Sequence, residues 1–190
     1  HELERQERTT HFETEYDKFI FQTLKFGAHT GTYLHSIFEQ IPFNYEKGWS
    51  DIIQKKTQAY YSSAKSEFNL QVEALVKHTL GAQIFIGPNE VKLNNVKNEQ
   101  RLNELEFYFP YEDLDLNELR NIDYGHREIG VRYFETNVIK GLMNGFIDLV
   151  FEQDGKFYIL DWKSNYLGYD IDNYNAEGVL TAMNNNGCVW

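Results

Sequence analysis

The hydrophobic pattern changes period near the middle of the chain. In "GTYLHSIFEQI", Leu34, Ile37, Phe38 and Ile41 recur at intervals of three and four, and this single apolar stripe predicts an amphipathic helix. "SDIIQKKTQAYYSSAKSEF" and "NLQVEALVKHTLG" continue the helical reading, with Ser50 and Asn69 as N-caps and Gly81 as a stop. In "RLNELEFYFP" the pattern alternates instead. Leu102, Glu104, Glu106 and Tyr108 fall on one side and Leu105, Phe107 and Phe109 on the other, which predicts a strand. "DLDLNELRNID" reads as a short helix. Two strand-like runs, 145–152 and 157–163, come next, followed by a loop and a last helix near 172–185. None of the three prolines, Pro42, Pro88 and Pro110, sits inside a predicted helix or strand. Helices before and after a sheet predict an α/β or α+β fold, with no repeat and no internal domain boundary.

The last two strands carry the first chemical signal. They meet at "EQDGKF", where Asp154-Gly155 is a favoured two-residue hairpin turn. With that turn, residue 152 faces 157, 150 faces 159 and 148 faces 161. Asp148 and Asp161 then lie opposite each other on one face, with Cβ atoms about 4.5–5.5 Å apart. Lys163 shares the face and lies opposite Phe146. On an edge hairpin this is an ordinary solvent face with a salt bridge. The neighbours Phe146, Val150 and Ile159 argue otherwise, and the opposite face holds Ile147, Leu149, Phe151, Tyr158, Leu160 and Trp162. Two apolar faces predict central, buried strands. Two carboxylates so placed repel each other by several kcal/mol at an effective dielectric of about 20. A shared proton or a hard divalent cation offsets that cost.

Composition narrows the classes. The chain has 190 residues, enough for one domain with a core, and a single cysteine, Cys188. One cysteine excludes a disulfide framework and a four-cysteine zinc or iron–sulfur site built from this chain alone. No apolar run predicts a membrane span, no signal peptide is visible, and a reducing, cytoplasmic compartment is expected. The start at His1 and the end at "NNNGCVW" suggest a fragment of a larger protein. The net charge of −11 argues against a simple basic DNA-binding surface, unless carboxylates take up cations or neighbouring domains supply the basic surface.

"GFIDLVF" followed by "GKFYILDWKSNYLG" resembles the nuclease motif of the RecB-type helicase-nucleases, in which an aspartate precedes an Asp-x-Lys on the next strand, as in the PD-(D/E)XK superfamily. Gly145, Asp148, Asp161, Lys163, Ser164, Asn165, Leu167 and Gly168 carry the match. "GTYLHSIFE" resembles the family's N-terminal helix motif and "LNELEFYFP" its glutamate-bearing strand, so the resemblance spans roughly residues 24–180. It implies a restriction-endonuclease-like α/β core, with a central mixed sheet flanked by helices and a helical N-terminal half. Residues 1–190 would form one nuclease domain, with 1–23 as a linker-like lead-in. It implies metal ligation by His35, Asp148, Asp161 and the carbonyl of Trp162. It also implies catalytic roles for Asp148, Asp161, Lys163 and Glu104, with Glu106 as the alternative glutamate. The expected cofactor is Mg²⁺, or Mn²⁺, without an iron–sulfur cluster. The absence of GxxxxGK[ST] means no ATP site in this chain. The expected activity is exonucleolytic cleavage of DNA in double-strand break repair and recombination. The expected partners are a single-stranded end fed by helicase domains and RecC/RecD- or AddB-like subunits, with no membrane. His11, His29, His78 and His126 carry no motif. One departure stands out: no glutamine follows Gln153, so the family's Gln-x-x-x-Tyr motif is missing. A catalytically silent DNA- or partner-binding module, or another PD-(D/E)XK repair or restriction nuclease, are the competing expectations.

Overall fold

Helix α2, Ala28–Gln40, forms the spine of the molecule and buries Thr30, Tyr33, Leu34, Ile37 and Phe38 along one face. The computed structural model describes residues 14–115, 138–168 and 170–185. The chain enters through α1, Glu15–Lys18, capped by the Thr14 side chain, and a π-helical turn, Phe19–Thr23. Two helices follow: α3, Trp49–Tyr60, and α4, Ser66–Gly81. Each buries a stripe at i, i+4, i+8: Trp49, Ile53 and Thr57 on α3, and Val72, Val76 and Leu80 on α4. The only polar member of these stripes, Thr57, is satisfied by the Tyr33 hydroxyl at 2.7 Å.

Two small antiparallel sheets complete the α/β fold. Strands β1, Ile84–Ile86, and β2, Asn89–Val91, form a hairpin. Strands β3, Arg101–Asp115, β4, Val138–Gln153, and β5, Lys156–Leu160, form a sheet in the order β3-β4-β5. Helix α5, Ala176–Asn185, ends the described chain. The core unites the helices with Val91, Leu93 and Val96 and with one face of the larger sheet, through Leu149 and Phe151.

Several expectations change. Every strand pair among the described residues is antiparallel, where a mixed sheet was expected; β4 and β5 are joined by a tight turn, which cannot support a parallel pairing. The predicted helix over "SDIIQKKTQAYYSSAKSEF" is two helices, broken after Tyr60. Tyr61 leaves the helical path to meet Thr30, with hydroxyl oxygens 2.7 Å apart, and to pack its ring against Tyr33 and Phe68. The N-cap positions are therefore Gly48 and Lys65, not Ser50 and Asn69. Within the expected lead-in 1–23, residues 15–23 are helical. Phe19 and Phe21 are buried, and Phe19 packs edge-on against Phe68. Pro110 lies within β3, opposite Leu142, and its missing N–H is tolerated because β3 is an edge strand in this sheet. The short β1–β2 hairpin is an addition to the expected elements, and "IFIGPNEV" carries its signal, a Gly-Pro turn between two apolar runs. Of the helix expected at "DLDLNELRNID", residues 113–115 are strand and the rest lie outside the described residues, as do His11, His126 and Cys188.

The hairpin register matches the turn chemistry. Asp154 and Gly155 both have positive φ, 54° and 74°, as a type I′ turn requires. Glu152 pairs with Phe157, Val150 with Ile159 and Leu149 with Leu160. Gly145 faces Phe107, whose ring tip would lie 2.8 Å from an added Cβ and would have to shift to admit one. The two faces, however, differ. Leu149 and Phe151 are sealed against the helices, whereas Phe146 and Ile159 on the other face are 59% and 71% exposed. The expectation of two buried faces does not hold among the described residues. Alternation dictates which residues share a face, not whether a partner covers it.

Candidate active site

Helix α2 is anchored to the sheet at its C-terminal end. Asn103 on β3 donates from its amide to the carbonyl of Glu39 at 2.7 Å, and Arg101 donates to the carbonyl of Ile41 at 2.5 Å. The Arg101 guanidinium also lies over the Phe43 ring, 3.7 Å from its centre. On the other side Trp162 stacks on Phe38, with centroids 4.4 Å apart. These contacts aim His35 at the junction of β3, β4 and the segment leaving β5.

There His35, Glu104 and Asp148 converge, with one ligand-capable atom from each lying within 4.8 Å of the others. His35 Nδ1 is 3.6 Å from Asp148 Oδ2, and His35 Nε2 is 2.9 Å from the carbonyl oxygen of Trp162. The β4–β5 pairing ends at Leu149–Leu160, one pair short of Asp148 and Asp161. The expected continuation to Lys163 opposite Phe146 is therefore absent. The backbone turns instead, and the Trp162 N–H donates to Asp148 Oδ2 at 2.7 Å. Asp161 stands outside the triad and pairs its carboxylate with the Lys163 ammonium. Each carboxylate thus has its own partner: Asp148 a backbone amide, Asp161 a lysine.

The two candidate glutamates separate. Glu104 lies between the pairs Asn103–Leu149 and Leu105–Ile147, at the level of Asp148, and has a φ of 49° that interrupts the ladder. A left-handed glutamate inside a strand is costly and persists only where its surroundings impose it. Its carboxyl is held above the usual glutamate range, first by desolvation and then by the charges of Asp148 and Glu39, while His35 acts in the opposite sense. Glu106 pairs with Phe146 across the sheet and accepts a hydrogen bond from the Tyr108 hydroxyl, so it belongs to a different stretch of the sheet. The tethers Arg101 and Asn103 are not among the expected site residues. Their signal was a charged and a polar residue on the same side of the strand as Leu105 and Phe107.

The donor set suits a hard divalent cation. It comprises two carboxylates, one imidazole and one carbonyl oxygen, from four separate parts of the chain.

No family model matches the chain. The chain is similar to the RecBCD enzyme subunit RecB of Escherichia coli K12, 31% identical over 164 residues, which are 83% of this chain and 13% of that protein. It is also similar to RecB of Haemophilus influenzae Rd, 27% identical over 166 residues, 86% of this chain and 13% of that protein. RecB of Borreliella burgdorferi B31 is 27% identical over 183 residues, 90% of this chain and 15% of that protein. The chain thus spans 13–15% of the length of these curated relatives and is related to one part of RecB.

Proposed function

From this kinship with one part of RecB, we propose that the chain is the DNA-cleaving part of a RecBCD- or AddAB-type helicase-nuclease acting in double-strand break repair, and that it hydrolyses phosphodiester bonds. The observation that carries this reading is the convergence of His35, Glu104 and Asp148 beside the Trp162 carbonyl, in the chain order of the resemblance. These groups would hold Mg²⁺ or Mn²⁺, and Asp161, next along the hairpin, offers a further carboxylate. Bound there, the cation would polarise a phosphate oxygen and lower the pKa of a coordinated water.

The chain's own groups have separable tasks. The Trp162 amide fixes the Asp148 carboxylate, and the Trp162 carbonyl fixes the His35 ring, so one residue orients two donors. Asp161 restrains the Lys163 ammonium at the mouth of the site. Lys163 there stabilises negative charge developing on the phosphate or orients the attacking water. RecC/RecD- or AddB-like subunits and a single-stranded end delivered by motor domains belong to this same reading.

The test is cleavage of end-labelled single-stranded DNA with Mg²⁺, with EDTA, and by Asp161→Ala. Mg²⁺-dependent cleavage that the substitution abolishes in a folded variant is the expected result. Cleavage that survives Asp161→Ala overturns the residue assignment. A wild-type chain that leaves the strand intact points to a silent binding module.

A further inference from the structure

The segment after the Asp-x-Lys runs along α2 in the opposite direction. Trp162 meets His35, with its carbonyl 2.9 Å from Nε2. Ser164 meets Gly31, where an added Cβ would lie 3.1 Å from Oγ. Tyr166 meets Phe26, with rings stacked at 4.3 Å and 19°. The spacing is physical: one helical turn rises about 5.4 Å, close to the ~6.6 Å covered by two residues of extended chain. The Phe26–Tyr166 end of the track is pinned from both segments. The Thr30 hydroxyl donates to the Lys25 carbonyl and lies 2.7 Å from the Tyr61 hydroxyl. The Leu167 N–H donates to the Tyr174 hydroxyl at 3.4 Å, and Tyr174 packs edge-on against buried Phe21.

Two properties set this track apart. Phe26 is backed by Tyr166 on one face and still 62% exposed, so a large aromatic surface is held rigidly open to solvent. Charge is also distributed unusually. The chain carries −11 overall, yet residues 18–38 and 162–168 contain no aspartate or glutamate and do contain Lys25, His29, His35 and Lys163. A phosphate backbone following these two segments meets basic groups and, beside Lys163, the Asp161 carboxylate before it reaches the acidic triad. The helix rise from Ala28 to His35 is roughly 10 Å, a distance a single strand covers in a few nucleotides.

We propose that Phe26, supported by Tyr166, is a stacking platform for a base of single-stranded DNA lying a few nucleotides from the bond cleaved at the His35–Asp148 site. The proposal rests on the nuclease reading for the polarity of the track, but the binding it predicts is measurable without cleavage. Stacking tolerates any base, so the platform positions the strand without reading its sequence.

The experiment titrates a fluorescein-labelled oligothymidylate with the chain in EDTA, where cleavage does not intervene, and follows anisotropy. Phe26→Ala weakens binding roughly tenfold and Phe26→Trp restores it. Phe85→Ala, which removes an equally exposed phenylalanine from the β1–β2 hairpin, leaves binding unchanged. With Mg²⁺, hydrolysis of bis(p-nitrophenyl) phosphate, a diester without bases, is the same in Phe26→Ala as in wild type. Equal oligothymidylate affinity in wild type and Phe26→Ala overturns the platform, as does a loss shared by Phe85→Ala. So does slowed hydrolysis of the base-free diester by Phe26→Ala, which would mark Phe26 as structural. Phe26-dependent binding without cleavage supports the platform and brings down the nuclease reading alone. A wild-type chain that binds no oligothymidylate overturns both.

Discussion

The two faces of the β3-β4-β5 sheet are equally apolar along β4 and β5 but have opposite fates. Leu149 and Phe151 are buried against α2 and its neighbours, while Phe146, Phe157 and Ile159 remain open. The candidate site takes Asp148 from the strand side opposite Leu149, where its side chain is only 13% exposed beneath His35 and Trp162. Packing and candidate chemistry are thus divided between adjacent positions of one strand. Side chains of a strand alternate, so one face can be committed to packing while the other carries charge.

The largest expected effect tests the side of β4 that carries Asp148. Asp148→Asn keeps an acceptor for the Trp162 amide and removes the charge. Cleavage falls by more than about a hundredfold while the urea midpoint changes little. A large loss of stability in that variant would mean that Asp148 is part of the packing after all. Lys163→Ala, nearby, lowers the cleavage rate but retains metal affinity, read by calorimetric titration with Mn²⁺; lost affinity would make the lysine structural.

Next comes the sealed face. Leu149→Ala removes a fully buried side chain and costs about 2–5 kcal/mol, measured by urea unfolding. A cost below about 1 kcal/mol would contradict its place in the core.

The same sealed side has a signature at high pH. Burial pushes the Tyr33 hydroxyl up to about 12 from an ordinary value of 10.0. Below pH 10 both states keep the proton. Between about 10 and 12 the unfolded chain ionises and the folded protein does not, so stability declines by roughly 2–3 kcal/mol across that window. Tyr33→Phe removes this component, and the difference between the two stability curves isolates it. Parallel curves would show that Tyr33 titrates normally.

The smallest effect belongs to the open face. Ile159→Thr keeps a β-branched residue on β5 and changes stability by less than about 0.5 kcal/mol. A cost comparable to that of Leu149→Ala would show that this face is covered in solution.

Much of this was legible before any coordinates. The apolar stripe of α2 and the Asp-Gly turn are local signals, and the turn alone specified that Val150 faces Ile159. The break between α3 and α4 was not legible, because Tyr61 leaves the helix for contacts with Thr30 and Tyr33, which lie about thirty residues earlier. The choice between Glu104 and Glu106 was equally closed to inspection. Both share one strand face, and only the approach of His35 from α2 distinguishes them.

Local sequence was enough for the apolar stripes of the helices and for the β4–β5 hairpin with its register, since each depends on neighbours within a few positions. Tertiary structure decided the rest. It left one apolar face open, turned Asp161 toward Lys163, and laid the segment after Trp162 along α2. The reason is physical: His35 and Trp162 are 127 positions apart, and no local propensity encodes a contact that only packing of helix on sheet can make.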